Sequence, residues 1–141
     1  MSDDTFDLER FIDAQRSTYE QARSELQAGW KRTHWMWFIF PQIAGLGHSA
    51  MAQQYAISSR AEAGAYLAHP VLGSRLRELT RIVNGVQERT VAQIFGYPDD
   101  MKFHSSMTLF AQCEADHDEF DEALQKYFGG QADSGTLDRL T

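Results

Sequence analysis

Apolar residues along this chain recur at helical rather than strand spacing. Leu8, Phe11, Ile12 and Gln15 share one face, with Asp7 placed to cap the helix they define. Ser17-Thr18-Tyr19-Glu20 has capping-box spacing and predicts a second helix that carries Tyr19, Ala22 and Leu26 inward and stops at Gly29. Ser59-Arg60-Ala61-Glu62 repeats that signal and opens a helix through Leu67. His69-Pro70 breaks it, because the residue before a proline avoids the α region. Pro70 then suits the first turn of a new helix, along which Val71, Leu72, Leu76, Leu79, Ile82 and Val83 line one side up to Asn84-Gly85. Thr90 caps a short turn to Phe95. Pro98-Asp99-Asp100 begins a helix with Phe103, Met107 and Phe110 on one stripe, and Asp116 to Glu119 precede a last long helix bearing Phe120, Leu124, Tyr127 and Phe128.

No alternating apolar–polar run bounded by hairpin turns occurs. Only residues 35–40, WMWFIF, resemble a strand, and a lone strand would have no ladder partner. That block is expected to be helical or irregular, ending where Pro41 forces the chain out of α. The pattern predicts one all-α domain over residues 1–141, a compact array of about six to eight short helices with no significant β-sheet. Residues 1–6 and 131–141 are expected as flexible tails, the latter docking or fraying on its weak Leu137/Leu140 pair.

Composition narrows the partners. The chain has 141 residues, a net charge of −7 and a single cysteine, Cys113. The acidic balance opposes non-specific binding to nucleic acid or anionic lipid. One cysteine forms no internal disulfide, and the acidic opening MSDDTFDLER lacks the features of a secretory leader. The longest apolar run is far too short for a membrane span. A cytoplasmic protein is therefore expected, with neither nucleic acid nor membrane as partner.

The densest chemistry lies in KRTHWMWFIFPQIAGLGHS at 31–49 and in DDMKFHSSMTLF at 99–110. Six consecutive apolar residues cannot all face one core, so one or two rings among Trp35, Trp37 and their neighbours could line a cleft; the alternative is simply core. Lys31, Arg32 and His34 suit a small anion, or else form a solvated turn after the Gly29 stop. Gly45-Leu46-Gly47-His48-Ser49-Ala50 fits G-x-G-x-x-A, but no strand leads into it, so a dinucleotide fold is not indicated; Ser49 is a candidate helix cap. Lys102, Ser105 and Ser106 share a helix, either as a lysine–serine site or as small residues where helices approach closely. Asp100 and His104 stand one turn apart, as an oriented imidazole or an ordinary ion pair. The five histidines show no metal-ligand spacing.

These blocks, together with MAQQYAI, AYLAHPVLGSRLRE and KYFGG, resemble over almost the whole chain the bacterial family known as domain of unknown function 1810. The resemblance implies a compact all-α fold of several short helices and implies no activity. Some members carry the name calpastatin, which fits a disordered protease inhibitor and not a folded helical domain. The expected site is a pocket where 31–49 meets 99–110. There Lys31, His34 and Lys102 would meet a small anionic molecule, Trp35 or Trp37 would stack on it, and Gln42, Ser49, Ser105 and Ser106 would fix its orientation. The alternative is a protein-interaction module with an exposed aromatic patch. No catalytic residue, cofactor or metal is assigned.

Overall fold

A computed structural model describes residues 4–140. Ten helices occur among them: α1 (Glu9–Arg16), α2 (Tyr19–Gln27), α3 (Met36–Ile39), α4 (Ala50–Gln54), α5 (Arg60–Ala68), α6 (Leu72–Gly85), α7 (Val91–Phe95), α8 (Asp99–Ala111), α9 (Asp118–Phe128) and α10 (Ser134–Arg139). No strand is present among the described residues, and the one isolated bridge joins Ile43 to Ile57. The count exceeds the six to eight expected. The additional helices are α3, α4 and α10, each too short to display a periodic apolar stripe.

Helix α8 is the axis of the fold. It packs against α5, α7, α9 and α10, so its residues from Ser105 to Ala111 are all buried. Phe103 sits at the centre of a ring cluster, perpendicular to Phe40 at 5.1 Å and stacked on Phe95 at 4.6 Å. Helix α6 closes the other side by packing on α2, α5 and α9. The tail after Gly130 is helical and docked, with α10 lying on α8. Of the tail expected at the other end, residues 1–3 lie outside the described residues.

Several ends are capped differently from the simple pattern. Asp7 has a left-handed φ of 51° and does not cap α1; the Asp4 carboxylate does so, accepting from the Leu8 and Glu9 amides at 2.6 and 3.0 Å. Thr18 precedes α2 without a side-chain cap. Ser59 caps α5 as expected, but Glu62 reaches back one residue further, to the Ser58 amide and hydroxyl, and also pairs with Arg10 at 2.9 Å. The reciprocal box forms at Thr90 and Gln93 of α7.

The link from α2 to α3 is organised by one carboxylate. Gly29 turns the chain with φ of +75°, a conformation that favours glycine. Glu25, 3% exposed, then accepts from the Arg32 amide at 2.7 Å, the Thr33 amide at 3.0 Å, the Thr33 hydroxyl at 2.6 Å, the Trp35 indole N–H at 3.0 Å and the Gln21 amide group at 2.8 Å. Burial alone would raise the pKa of this carboxyl. The donors from Thr33, Arg32 and Gln21 outweigh it and bring the value from 4.5 down to about 2.

A folded-state pKa below the unfolded one makes this contribution complete above about pH 4.5 and progressively lost as pH falls toward 2, with a full size of about 3 kcal/mol. Urea unfolding at pH 7 and pH 3 checks it. Glu25→Gln is expected to cost about 2–4 kcal/mol at pH 7 and to lose less stability than the wild type on acidification. Parallel losses in the two proteins would contradict this assignment.

Candidate functional site

The chain between α3 and α4 leaves the core at Pro41 and returns through Ile57, whose backbone exchanges hydrogen bonds with Gln42 and Ala44 at 2.8 Å each. This loop, 40–49, stands away from the start of α8 and leaves a hollow. A cavity of about 460 Å³ is lined by Trp37, Gln42, the 46–49 turn, Ala52, Tyr97, Pro98, Met101, Lys102, Ser105, Asp133 and Gly135. A smaller hollow of about 170 Å³ adjoins it across Trp37, Gln42, Gly47 and Ala52. The two hollows share those four residues as a common wall.

Each wall has a local cause. Ser49 caps α4 by accepting from the Ala52 amide at 3.1 Å, which fixes the 46–49 turn; α4 has only five residues. Gly45 has φ of +98°, a conformation that favours glycine, and the Arg139 guanidinium lies against it. The third wall is the C-terminal segment. Asp133 caps α10, and its Oδ2 accepts from the Thr136 amide at 3.1 Å, the Thr136 hydroxyl at 2.6 Å and the Ser105 hydroxyl at 3.0 Å. The Asp133 amide in turn donates to the Thr108 hydroxyl at 2.9 Å. Burial opposes ionisation of Asp133, but the donors from Thr136 and Ser105 prevail and hold its carboxyl below the usual range.

Lys102 is the cation of the cleft. Its ammonium lies 5.1 Å from the centre of the Trp37 ring and 3.4 Å from Asp99 Oδ1. Asp99 is shared: its Oδ2 is 2.8 Å from the Lys31 ammonium, whose side chain is only 6% exposed. Two lysines share the Asp99 carboxylate, and Lys102 is the member that lines the cavity, which the ionised Asp133 also lines.

Of the residues singled out in the sequence, Trp37, Gln42, Ser49, Lys102 and Ser105 line this one cleft. Four of the expected site residues lie elsewhere. Lys31 is held behind the wall by Asp99, by the Thr33 carbonyl at 2.6 Å and by the Trp35 ring face at 4.9 Å. Trp35 is fully buried with its N–H on Glu25. His34 is exposed beside that link and lines no described cavity. Ser106 is fully buried, and its hydroxyl has no partner among the described residues. The neighbouring Arg32 lies over the exposed Trp30 ring at 5.3 Å, away from the cleft.

His104 does not pair with Asp100. Its ring stacks on Phe128 at 3.9 Å, and Nε2 is 2.8 Å from the Gln131 carbonyl, which ties the tail to α8. Among the described residues, no cluster of three or more histidine, cysteine or acidic side chains is arranged to hold a metal. No helix of the described residues is long and apolar enough to cross a membrane. The residues missed in the sequence are Glu25, Asp99, Asp133 and the exposed rim of Tyr97 and Met101, at 81% and 57% exposure. Glu25 carried a readable signal: it occupies the inward stripe of α2 beside Ala22 and Leu26, where a carboxylate must have buried partners.

An all-α fold with a polar–aromatic cleft between its central helix and a glycine-bearing loop defines the class to which the molecule belongs. The chain is a member of the family described as "Protein of unknown function (DUF1810)", which it matches over residues 5–140. Its structure is similar to the crystal structure of the conserved hypothetical protein Rv1873 from Mycobacterium tuberculosis, at 52% sequence identity and a TM-score of 0.96 over 97% of this chain and 98% of that one. A search of the curated proteins finds no match.

The two tryptophans separate in a stability measurement. Trp35→Ala, which empties a fully buried site and removes one donor from Glu25, is expected to cost about 3–5 kcal/mol in urea unfolding. Trp37→Ala, at a half-buried cleft wall, is expected to cost less than half as much. Equal losses would contradict the division of these rings into core and cleft.

Proposed function

We propose that the cleft binds a small organic anion, with Lys102 meeting the anionic group, the Trp37 ring offering a stacking face, and Gln42, Ser49 and Ser105 setting orientation. The observation that carries this reading is the placement of Lys102. Its ammonium stands at a cavity wall, over an aromatic face, and its counterion Asp99 is already engaged by the buried Lys31. Lys102 thus shares its nearest counterion with a second lysine and keeps its ammonium at the cavity wall, in a protein whose overall field is negative. A cation that the fold supports at a hollow in an acidic surface is suited to capture one anionic group locally and to reject polyanions.

The exposed Tyr97 and Met101 at the rim favour a second reading, in which the same edge meets a protein partner. They also suit the outer part of a ligand larger than its anionic group, and the polar side chains of Lys102, Ser105 and Asp133 in the same lining favour the small molecule.

A thermal-shift series with inorganic phosphate, ribose 5-phosphate, adenosine monophosphate and short carboxylates at low salt tests the proposal. A ligand at a hundred times its Kd should stabilise by about 2.7 kcal/mol, roughly 10 °C in Tm for a chain of this length. Lys102→Met is expected to abolish the shift while leaving the ligand-free Tm near that of the wild type. No shift with any of these anions, or the same shift in Lys102→Met, would overturn the assignment.

A further inference from the structure

Beside Lys102 the cleft wall carries two groups that accept hydrogen bonds, Ser105 and Asp133. Resting on the anion-binding reading of Lys102, we infer that Asp133 and Ser105 recognise two adjacent hydroxyls of the ligand, which makes that ligand a phosphorylated sugar with a free vicinal diol.

Every hydrogen bond that the Asp133 side chain accepts among the described residues falls on Oδ2, while Oδ1 takes none. Asp133 lines the cavity, so the fold fixes this carboxylate through one oxygen and leaves the other for a donor in the cleft. Ser105 stands beside it. Its hydroxyl proton is used internally, directed to Asp133 Oδ2 at 3.0 Å or to the Met101 carbonyl at 3.2 Å, so the oxygen meets the cavity as an acceptor. Two acceptors side by side, one of them charged, complement two neighbouring O–H donors.

Lys102 and Ser105 lie three residues apart on α8, with Cβ atoms about 5–6 Å apart, and Asp133 lies one hydrogen bond beyond Ser105, so the three stand in a row along the cavity wall. A pentose phosphate has its acidic group at one end and its hydroxyl pair at the other. Between them, the Trp37 ring offers an apolar face for the sugar's C–H edge or for an attached base, and the cavity of about 460 Å³ has room for either.

The test uses the full chain, with titration calorimetry against inorganic phosphate, ribose 5-phosphate, adenosine monophosphate and 2′,3′-dideoxyadenosine monophosphate. The wild type is expected to bind the two diol-bearing compounds about 10- to 100-fold more tightly than the dideoxy compound. Asp133→Asn keeps a carbonyl oxygen to cap α10 and puts an amide N–H₂ where the free oxygen stood, turning acceptor into donor. It is expected to erase the diol preference and, by removing one negative charge from the cleft, to raise phosphate affinity modestly. Ser105→Ala, which leaves the Asp133 cap on Thr136 untouched, should weaken the preference in part and serves if the first variant is unstable. Equal affinity for the two diol compounds identifies a phosphosugar, and tighter binding of the nucleotide adds a base on Trp37. Dideoxy and diol compounds binding alike through Lys102, or an intact preference in Asp133→Asn, would overturn the inference while the anion site stands. Failure of all four compounds to bind would overturn both.

Discussion

One buried carboxylate determines how this fold presents its most distinctive sequence. Glu25 gathers five donors from Gln21, Arg32, Thr33 and Trp35, and each of those groups would otherwise need a partner in or beside the core. An unpaired buried amide or indole N–H costs about 1–3 kcal/mol, so the set acts together or not at all. With the link pinned there, Lys31 is directed inward to Asp99, and the next helix starts with Trp35 buried and Trp37 turned toward the cleft. The chemistry available at the cavity wall thus begins on the inner face of α2, away from the cleft itself.

Helix α8 imposes the second constraint. On a helix clothed by four others, the Thr108 hydroxyl is bonded inside the fold, to the His104 carbonyl and the Asp133 amide, and the Ser106 hydroxyl is buried with no partner among the described residues. Only its first turns reach the cleft, through Met101, Lys102 and Ser105. The C-terminal segment completes the third wall, tied down by Asp133 on Ser105 and Thr136 and by His104 on the Gln131 carbonyl. Residues near the end of the chain are therefore part of the site's architecture.

The long helices were legible because Phe11, Leu26, Leu76, Phe110 and Phe120 belong to apolar stripes at a spacing that only a helix brings to one face. α3 and α4 were legible only in part, as a helical-or-irregular block and a candidate cap at Ser49, and α10 was not, since four to six residues form helices through tertiary contacts and caps rather than periodicity. The tail read as loosely held because its anchors are polar: Ser105 and Thr108 hold Asp133, and His104 meets the Gln131 carbonyl, through hydrogen bonds that hydropathy does not register. Trp37, Gln42, Ser49, Lys102 and Ser105, of the nine residues expected together, line one cleft; the aromatic and basic density of the two motifs points to Trp37 and Lys102, and the three neutral polar residues come with those motifs. Lys31, Trp35 and Ser106 belong to the same motifs for structural reasons, and composition alone does not divide the two roles.

The link between Glu25 and the indole of Trp35 can be observed at a single resonance. In an acid titration followed by NMR, the Trp35 indole N–H signal reports its carboxylate acceptor directly. This signal is expected to hold its position through pH 4.5 and to move only as the pH approaches about 2, in step with Glu25 protonation. A midpoint near 4.5, the ordinary value for a glutamate, would contradict the claim that this carboxylate organises the fold around it.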